Sequence, residues 1–117
     1  MKMKVKEVVE QLSLTLLTWT PEGLEQEVSG GYVSDLLSNV MGQAKGGNLW
    51  VTMQGHVNIV AVASLAGVSA VIVAGGAAVD EKAMEKAREN NIVLLTSPRG
   101  AFEIVGQMYQ LGIGAGG

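Results

Sequence analysis

Hydrophobic positions along the chain follow two spacings, one typical of helices and one typical of buried strands. Near the start, Val5, Val8, Val9 and Leu12 repeat at helical spacing, which predicts a short amphipathic helix. The run Ala70 to Ala74 is short, apolar and β-branched, as expected for a strand that is buried on both faces. Such runs predict five strands, at residues 14–18, 28–33, 48–53, 70–74 and 92–95.

Helices are predicted between these strands because polar residues and glycines delimit the apolar repeats. Ser34 or Asp35 is predicted to cap a helix that extends to Ala44, since a side-chain oxygen there accepts a hydrogen bond from a free backbone amide. Asn58 is the predicted cap of the next helix and Gly67 its terminator. Strands that alternate with helices predict an α/β, three-layer domain with a parallel or mixed central sheet.

The apolar stretch from Val57 to Val79 resembles a membrane span in length and hydropathy. Its pattern changes midway, however, from a helical repeat to a short β-branched run, and Gly67 separates the two parts. We therefore predict a helix followed by a strand. The first twelve residues are charged and contain no apolar core, so no signal peptide is expected.

Composition narrows the range of functions. The chain has 117 residues, a net charge of −3 and no cysteine, so a disulfide framework and thiolate metal sites are excluded. Lys and Arg do not cluster, so neither nucleic acid nor a membrane surface is an expected partner. We expect a cytoplasmic protein that forms a single domain over residues 1–112 and has a disordered, glycine-rich tail at 113–117.

The sequence contains no recognisable catalytic motif. The sequence lacks the G-x-x-x-x-G-K-[ST] phosphate loop of nucleotide hydrolases. The tail, residues 112–117, formally matches G-x-G-x-x-G, but it follows a predicted helix and opens none, so it lacks the context of a dinucleotide site. No triad or metal motif is present. We expect neither a cofactor nor enzymatic activity.

A ligand site is predicted where loops leave the sheet. In open α/β sheets ligands bind beyond the carboxyl ends of the strands, and the turn before the helix at Asn58 carries the only histidine. A helix that starts after this turn also favours an anionic group. The residues predicted to contact a ligand are Gly30, Gly31, Ser34, Gln54, Gly55, His56 and Asn58.

Each of these features also has a purely structural interpretation. His56 is either a turn residue that hydrogen-bonds the backbone, a ligand contact or a general base. Asp35 is either an acid at a helix start or a site residue. Gly30 and Gly31 mark either a bulge or a close approach of a ligand to the backbone, and Arg99 either pairs with an anion or is solvated.

A homodimer is predicted from the helix between Asn58 and Ala66, which has no polar face. A helix that covers a sheet normally keeps one polar stripe in water, and most oligomers of identical chains are closed dimers. The competing explanation is that the neighbouring helix, residues 36–44, covers part of the same surface. The residues predicted at the interface are Ile59, Val62, Ala63 and Ala66.

Two stretches carry a resemblance to a known family. SGGYVSDLLSNVM (residues 29–41) and GNLWVTMQGHVNIVAVASLAGVSAVIV (residues 47–73) resemble the DRTGG domain, which is related to the N-terminal domain of HPr kinase/phosphorylase. A weaker similarity links the chain to the N-terminal domain of Mur ligases. Where the family has Asp-Arg this chain has Glu25-Gln26, and Ser29 replaces the threonine before the two glycines.

This resemblance implies a regulatory or assembly module with the fold of those N-terminal domains. We expect a non-catalytic module that self-associates and acts through a regulatory partner protein. The alternative is a sensor that binds a nucleotide or a phosphorylated metabolite at the strand ends, and an enzyme is the third possibility. A ligand screen by thermal shift separates the first two, because a ligand that binds only the folded state raises its stability.

Overall fold

A computed structural model describes residues 2–116, which form a central five-stranded sheet with helices on both faces. The strands are β1 (Thr15–Thr18), β2 (Gly30–Val33), β3 (Asn48–Thr52), β4 (Ala70–Val73) and β5 (Leu94–Thr96). The helices are α1 (Val5–Gln11), α2 (Pro21–Leu24), α3 (Leu37–Gln43), α4 (Asn58–Ala66), α5 (Glu81–Glu89) and α6 (Ala101–Gln110).

The sheet is mixed, with the strand order β1-β5-β4-β3-β2. β2, β3, β4 and β5 are parallel, and β1 pairs antiparallel with β5 at one edge. Each strand lies within two residues of its predicted bounds. The predicted α/β class and the mixed sheet are confirmed.

Alternate residues of the central strands point into two separate apolar layers. Leu49 and Val51 of β3 pack on the side of α1 and α6, whereas Trp50 packs on the side of α3, α4 and α5. All three side chains are fully buried, because helices cover both faces of a parallel sheet. Trp50 also donates a hydrogen bond from Nε1 to the Ser34 carbonyl oxygen, at 2.9 Å.

The long apolar stretch divides as predicted into a helix and a strand. α4 ends at Gly67, whose positive φ of 71° is the left-handed conformation that glycine adopts readily. β4 follows within three residues and is buried along its whole length. In residues 2–116 no helix is long and apolar enough to cross a membrane.

The start of α3 differs from the prediction. The residue that caps α3 is Leu36, and neither Ser34 nor Asp35 bonds to the amides of the first turn. The Asp35 carboxylate instead accepts hydrogen bonds from β3, and the Ser34 hydroxyl accepts one from the Leu36 amide, at 3.1 Å. These bonds hold Ser34 and Asp35 in the connection that follows β2, so α3 begins later than predicted.

The predicted disordered tail is wrong for residues 113–116. Ile113 is 7% exposed and belongs to the core between the sheet and α6. The Gly31 amide donates a hydrogen bond to the Gly114 carbonyl oxygen, at 2.8 Å. The apolar side chain of Ile113 thus holds the tail against β2, although its glycines alone predicted disorder. Gly117 lies outside the described residues.

Burial around α4 corrects the predicted interface residues. Ile59 and Ala63 are fully buried and Val62 is 9% exposed, because these side chains pack against the sheet within their own chain. α3 and α5 flank α4 on either side. The competing explanation, in which a neighbouring helix of the same chain covers this surface, is therefore right for Ile59, Val62 and Ala63. Ala66 is half-buried. The side chains that do face outward on α4 are Ala61, Ser64 and Leu65.

Candidate functional site

The carboxyl ends of β2, β3, β4 and β5 meet at one edge of the sheet, because these strands are parallel. Four short segments leave the sheet there. They are Ser34-Asp35 after β2, Met53 to Val57 after β3, Ala74 to Ala77 after β4, and Ser97 to Gly100 after β5. Open sheets of this kind bind ligands at this edge.

Asp35 organises the part of this edge that joins β2 to β3. Its Oδ1 accepts hydrogen bonds from the Thr52 hydroxyl and from the Met53 amide, both at 2.7 Å. Gln54 Nε2 donates to the Asp35 carbonyl oxygen at 3.3 Å. Thr52 is fully buried, so a charged acceptor satisfies a hydroxyl that has left water. Asp35 therefore has a structural role at the sheet edge.

His56 is exposed and forms the turn that leads into α4. Its Nδ1 accepts a hydrogen bond from the Asn58 amide at 3.2 Å, and its carbonyl oxygen accepts one from the Ile59 amide at 3.1 Å. The Val60 amide bonds to the Val57 carbonyl oxygen. The first amides of α4 therefore already have partners in their own chain, so a ligand would contact side chains here. Asn58 is the first residue of α4 and Val57 its cap.

Gly55 is required by a neighbouring loop. The carbonyl oxygen of Ala78 lies where a Cβ of residue 55 would be placed. The Asp80 amide also donates to the Gly55 carbonyl oxygen at 2.9 Å. Gly55 thus lets the loop after β4 pack closely against the turn after β3, and its backbone is covered by that loop.

Arg99 belongs to the structure of the loop after β5. Its guanidinium donates hydrogen bonds to Ser97 Oγ at 3.2 Å, to Gln107 Oε1 at 2.5 Å and to the carbonyl oxygen of Leu12. The Arg99 carbonyl oxygen accepts from the Gly75 amide at 2.7 Å. Arg99 is therefore half-buried in contacts with α1 and α6, and it is neither solvated nor aimed at an anion.

The seven predicted ligand residues do not form one site. Ser34, Gln54, Gly55, His56 and Asn58 lie at the carboxyl edge, but Gly30 and Gly31 begin β2 at the opposite edge.

The two glycines of β2 allow close packing of the chain's own C-terminal part. A Cβ at residue 30 would lie 2.6 Å from the Gly116 Cα, and one at residue 31 would lie 2.5 Å from Met108 Cε. Gly30 and Gly31 therefore mark a close approach to the backbone and not a bulge. The group that approaches is α6 with the segment after it, and not a ligand.

A groove between α4 and α5 starts at the predicted turn. It has a volume of about 400 Å³ and is lined by Val57, Asn58, Val60, Ala61, Ser64, Leu65, Lys86 and Asn90. Sites for small ligands are typically a few hundred to a thousand cubic ångströms in volume and mostly apolar with a few polar groups. This groove is not among the sites predicted from the sequence. The sequence feature that indicates the groove is the pair of outward apolar residues on α4, Ala61 and Leu65, together with Lys86 on α5.

The residues at the family's name-giving positions have structural contacts. Glu25, after α2, forms ion pairs with Lys4 Nζ at 2.9 Å and Lys6 Nζ at 2.5 Å. The hydrogen bonds from Lys6 and Lys4 lower the pKa of the Glu25 carboxyl from 4.5 to about 2. The same contact with Glu25 raises the pKa of Lys4. The acid at this position thus joins α2 to the start of α1.

Ser29 stabilises the entry to β2. Its hydroxyl donates a hydrogen bond to the Gly46 carbonyl oxygen at 2.8 Å and accepts one from Asn48 Nδ2 at 3.1 Å. Asn48 is almost fully buried, so this hydroxyl satisfies a polar group inside the protein. The serine therefore supplies the hydroxyl that the family's threonine would bring to this position.

The carboxyl edge and the groove present side chains that can form hydrogen bonds and one cation. The turn offers the polar side chains of Gln54, His56 and Asn58, and the groove adds Lys86. Among residues 2–116 no three His, Cys, Asp or Glu side chains come together as a metal site would require. Within the same residues every buried side-chain nitrogen or oxygen has a hydrogen-bond partner.

Comparison with known proteins identifies relatives of the fold. The structure is similar to the CBS and DRTGG domains of the regulatory region of a pyrophosphatase from Clostridium perfringens, which was crystallised with its activator, diadenosine tetraphosphate. The TM-score is 0.75 at 18% sequence identity, over 96% of this chain and 48% of that one. The chain thus spans about half the length of that regulatory region.

No curated protein matches the sequence of this chain. The sequence model of the DRTGG domain, in contrast, matches residues 7–111, which is nearly the whole chain. This match confirms the resemblance carried by residues 29–41 and 47–73. The chain belongs to the DRTGG domain family.

Proposed function

We propose that the chain is a non-catalytic regulatory domain that senses a nucleotide or a phosphorylated metabolite. The observation that carries this proposal is the fold shared with a regulatory region that was crystallised with a nucleotide activator. Of the two functions predicted from the sequence, the sensor is better supported than an assembly module that works without a ligand. Fold alone does not determine function, so the proposed binding site rests on the residues of this chain.

The proposed site consists of the turn from Gln54 to Asn58 and the adjoining groove between α4 and α5. Asn58 lines both parts, so a ligand bound at the turn can extend into the groove. Val57, Val60 and Ala61 provide an apolar wall for a base or another flat group. Gln54 is half-buried and His56 is exposed. Each side chain makes one hydrogen bond within the turn and keeps a further polar atom for a ligand.

Lys86 is the cation of this proposed site. It lines the groove from α5, and its Nζ lies 3.4 Å from Glu89 with both side chains largely exposed. Such an exposed ion pair contributes little to stability, so Lys86 can turn to a phosphate. The carboxylate of Asp35 at the same edge already accepts two hydrogen bonds.

A thermal-shift titration tests this proposal, with diadenosine tetraphosphate, ATP and inorganic phosphate as probes. A nucleotide at about 100 times its dissociation constant should raise the free energy of unfolding by about 2.7 kcal/mol. The double variant Gln54→Ala/His56→Ala and the single variant Lys86→Ala should lose most of this shift. Their own melting temperatures should fall only slightly, because the hydrogen bonds of Gln54 and His56 and the ion pair of Lys86 are all solvent-exposed.

Lys82→Ala is the matched control, since Lys82 is exposed on the same helix but does not line the groove. It should keep the full ligand-induced shift. If none of the three probes raises the melting temperature, the sensor function is wrong. If the double variant unfolds without ligand, the turn residues have only the structural role.

The second candidate is a module that acts by assembly with a copy of itself or with a regulatory partner protein. The observation that favours it is that large apolar side chains are exposed on both faces of the domain. Two of them, Leu65 and Phe102, are 74% and 96% exposed. Light scattering of the ligand-free protein distinguishes this candidate, because it requires a mass above that of the monomer without any nucleotide.

A further inference from the structure

We propose that α6 and the free edge of β2 form a two-fold interface in which Phe102 of each copy fills an apolar pocket of the other. This surface lies on the opposite face of the sheet from the groove between α4 and α5. The proposal is therefore independent of the proposed sensor function.

Phe102 is the only phenylalanine of the chain and it is 96% exposed. Tyr109 lies two helical turns further along α6 and is 61% exposed. Both aromatic rings project from the same side of the helix, since residues seven apart share a face. Two of the chain's five aromatic side chains thus lie in water on one helix, and covering them would contribute hydrophobic free energy that the single chain does not gain.

An apolar pocket lies beside these rings, between α6 and β2. Its volume is about 210 Å³, and Tyr32, Val33, Val105, Met108, Tyr109 and Ile113 line it. A cavity of about 150 Å³ with an apolar lining binds benzene. The pocket is therefore large enough for the ring of a phenylalanine, and no charged residue lines it.

Phe102 cannot fill the pocket of its own chain. Side chains of a helix point back toward its N-terminus, whereas the pocket lies toward the C-terminal half of α6, from Val105 to Tyr109. The ring that fits must come from another molecule. A second copy of this chain carries such a ring at the required place.

Gly106 lies at the middle of the exposed face of α6, between Phe102 and Tyr109. A Cβ at this position would have no atom within 4 Å, so the packing of its own chain does not require a glycine. Glycine in a helix interior is less stable than alanine by about 1 kcal/mol. A closely packed helix of a second copy gives a physical reason for the missing side chain.

A two-fold axis that passes between Val105 and Gly106 brings these features together. It places Phe102 of one copy opposite Tyr109 of the other and hence beside the pocket that Tyr109 lines. The contact is reciprocal, as a closed dimer requires. β2 is the last strand of the sheet, so nothing from the sheet itself blocks the approach. Glu103 is the only charged residue of α6, which fits an apolar copy better than a charged partner.

Sedimentation equilibrium of the full chain without ligand tests this interface. The wild-type protein should be a dimer at micromolar concentration. Phe102→Ala should weaken dimerisation by at least about a hundredfold, because two buried rings are lost. Gly106→Leu should also give a monomer, because its side chain would separate the two helices. Thermal melts should show that both variants fold, since neither residue is enclosed by its own chain.

Leu65→Asp is the matched control, since Leu65 is an exposed apolar residue on α4, across the sheet. It should leave the dimer intact. A wild-type protein that remains a monomer at high micromolar concentration would overturn the proposal. So would a dimer that survives Phe102→Ala, or one that Leu65→Asp dissociates while Phe102→Ala does not.

Discussion

At the scale of single residues, Asp35 shows how a side chain can serve a different neighbour from the one its sequence position indicates. An acid before an apolar helical repeat predicts a cap. In the structure its carboxylate bonds to Thr52 and Met53, which are seventeen or more positions away in sequence. Local spacing cannot reveal this contact, because it depends on β2 and β3 lying side by side.

Replacing Asp35 by alanine should destabilise the fold. The change leaves the buried Thr52 hydroxyl and the Met53 amide without their charged acceptor, which should cost about 1–3 kcal/mol. Urea unfolding measures this loss. Asp80→Ala is the control, because Asp80 makes no capping hydrogen bond, and it should cost at most about 1 kcal/mol through the helix dipole. Equal losses for the two variants would contradict the assigned role of Asp35.

The ion pairs of Glu25 should make a small, pH-dependent contribution to stability. Its pKa is about 2 in the folded chain and 4.5 without these contacts. The contribution is therefore fully present above pH 4.5 and is lost as the pH falls toward 2. The side chains are exposed, so added salt should weaken the effect.

An NMR titration of the Glu25 carboxyl carbon checks this pKa directly. Lys6→Ala should raise the Glu25 pKa most, because the Lys6 hydrogen bond is the largest cause of the shift, and Lys4→Ala should raise it less. Lys2→Ala should leave it unchanged. A Glu25 pKa near 4.5 in the wild-type protein would show that these ion pairs do not persist in solution.

At the scale of elements, the sequence predicts the helices and strands well and their surroundings poorly. The break in periodicity near Gly67 correctly separates α4 from β4, because a strand and a helix need different repeats. The absence of a polar face on α4 predicts an interface with a second copy. In the structure α3 and α5 flank the helix, and sequence alone does not show which elements become neighbours.

The C-terminal segment after α6 is a second example. Its glycines indicated disorder, but Ile113 is buried against the sheet. Ile113→Ala should therefore destabilise the domain by about 2 kcal/mol or more, as expected for a buried isoleucine. Chemical denaturation should show this loss. Leu65→Ala, at a position that is 74% exposed, should change stability by less than about 0.5 kcal/mol, and similar values for both variants would mean that the segment does not pack in solution.

At the scale of the whole molecule, alternating strands and helices predict the α/β class but not the strand order. The order decides which predicted site residues meet. It brings the Ser34-Asp35 segment to the same edge as Gln54, which bonds to Asp35, and leaves Gly30 and Gly31 at the other edge. The groove between α4 and α5 also arises only from the assembled fold. The predicted residues at the carboxyl edge therefore come together. The other two, Gly30 and Gly31, allow the C-terminal segment to pack closely.

Nucleotide binding at the turn before α4 is the proposal on which the sensor function of this DRTGG domain rests. Titration with diadenosine tetraphosphate, followed by amide NMR spectra of the labelled protein, tests it most directly. Saturable shifts are expected for Gln54 to Asn58 and for the groove residues Ala61 and Lys86, with little change at Gly30 and Gly31. Spectra that do not change at saturating nucleotide, or that change only at the amino edge of β2, would contradict the account.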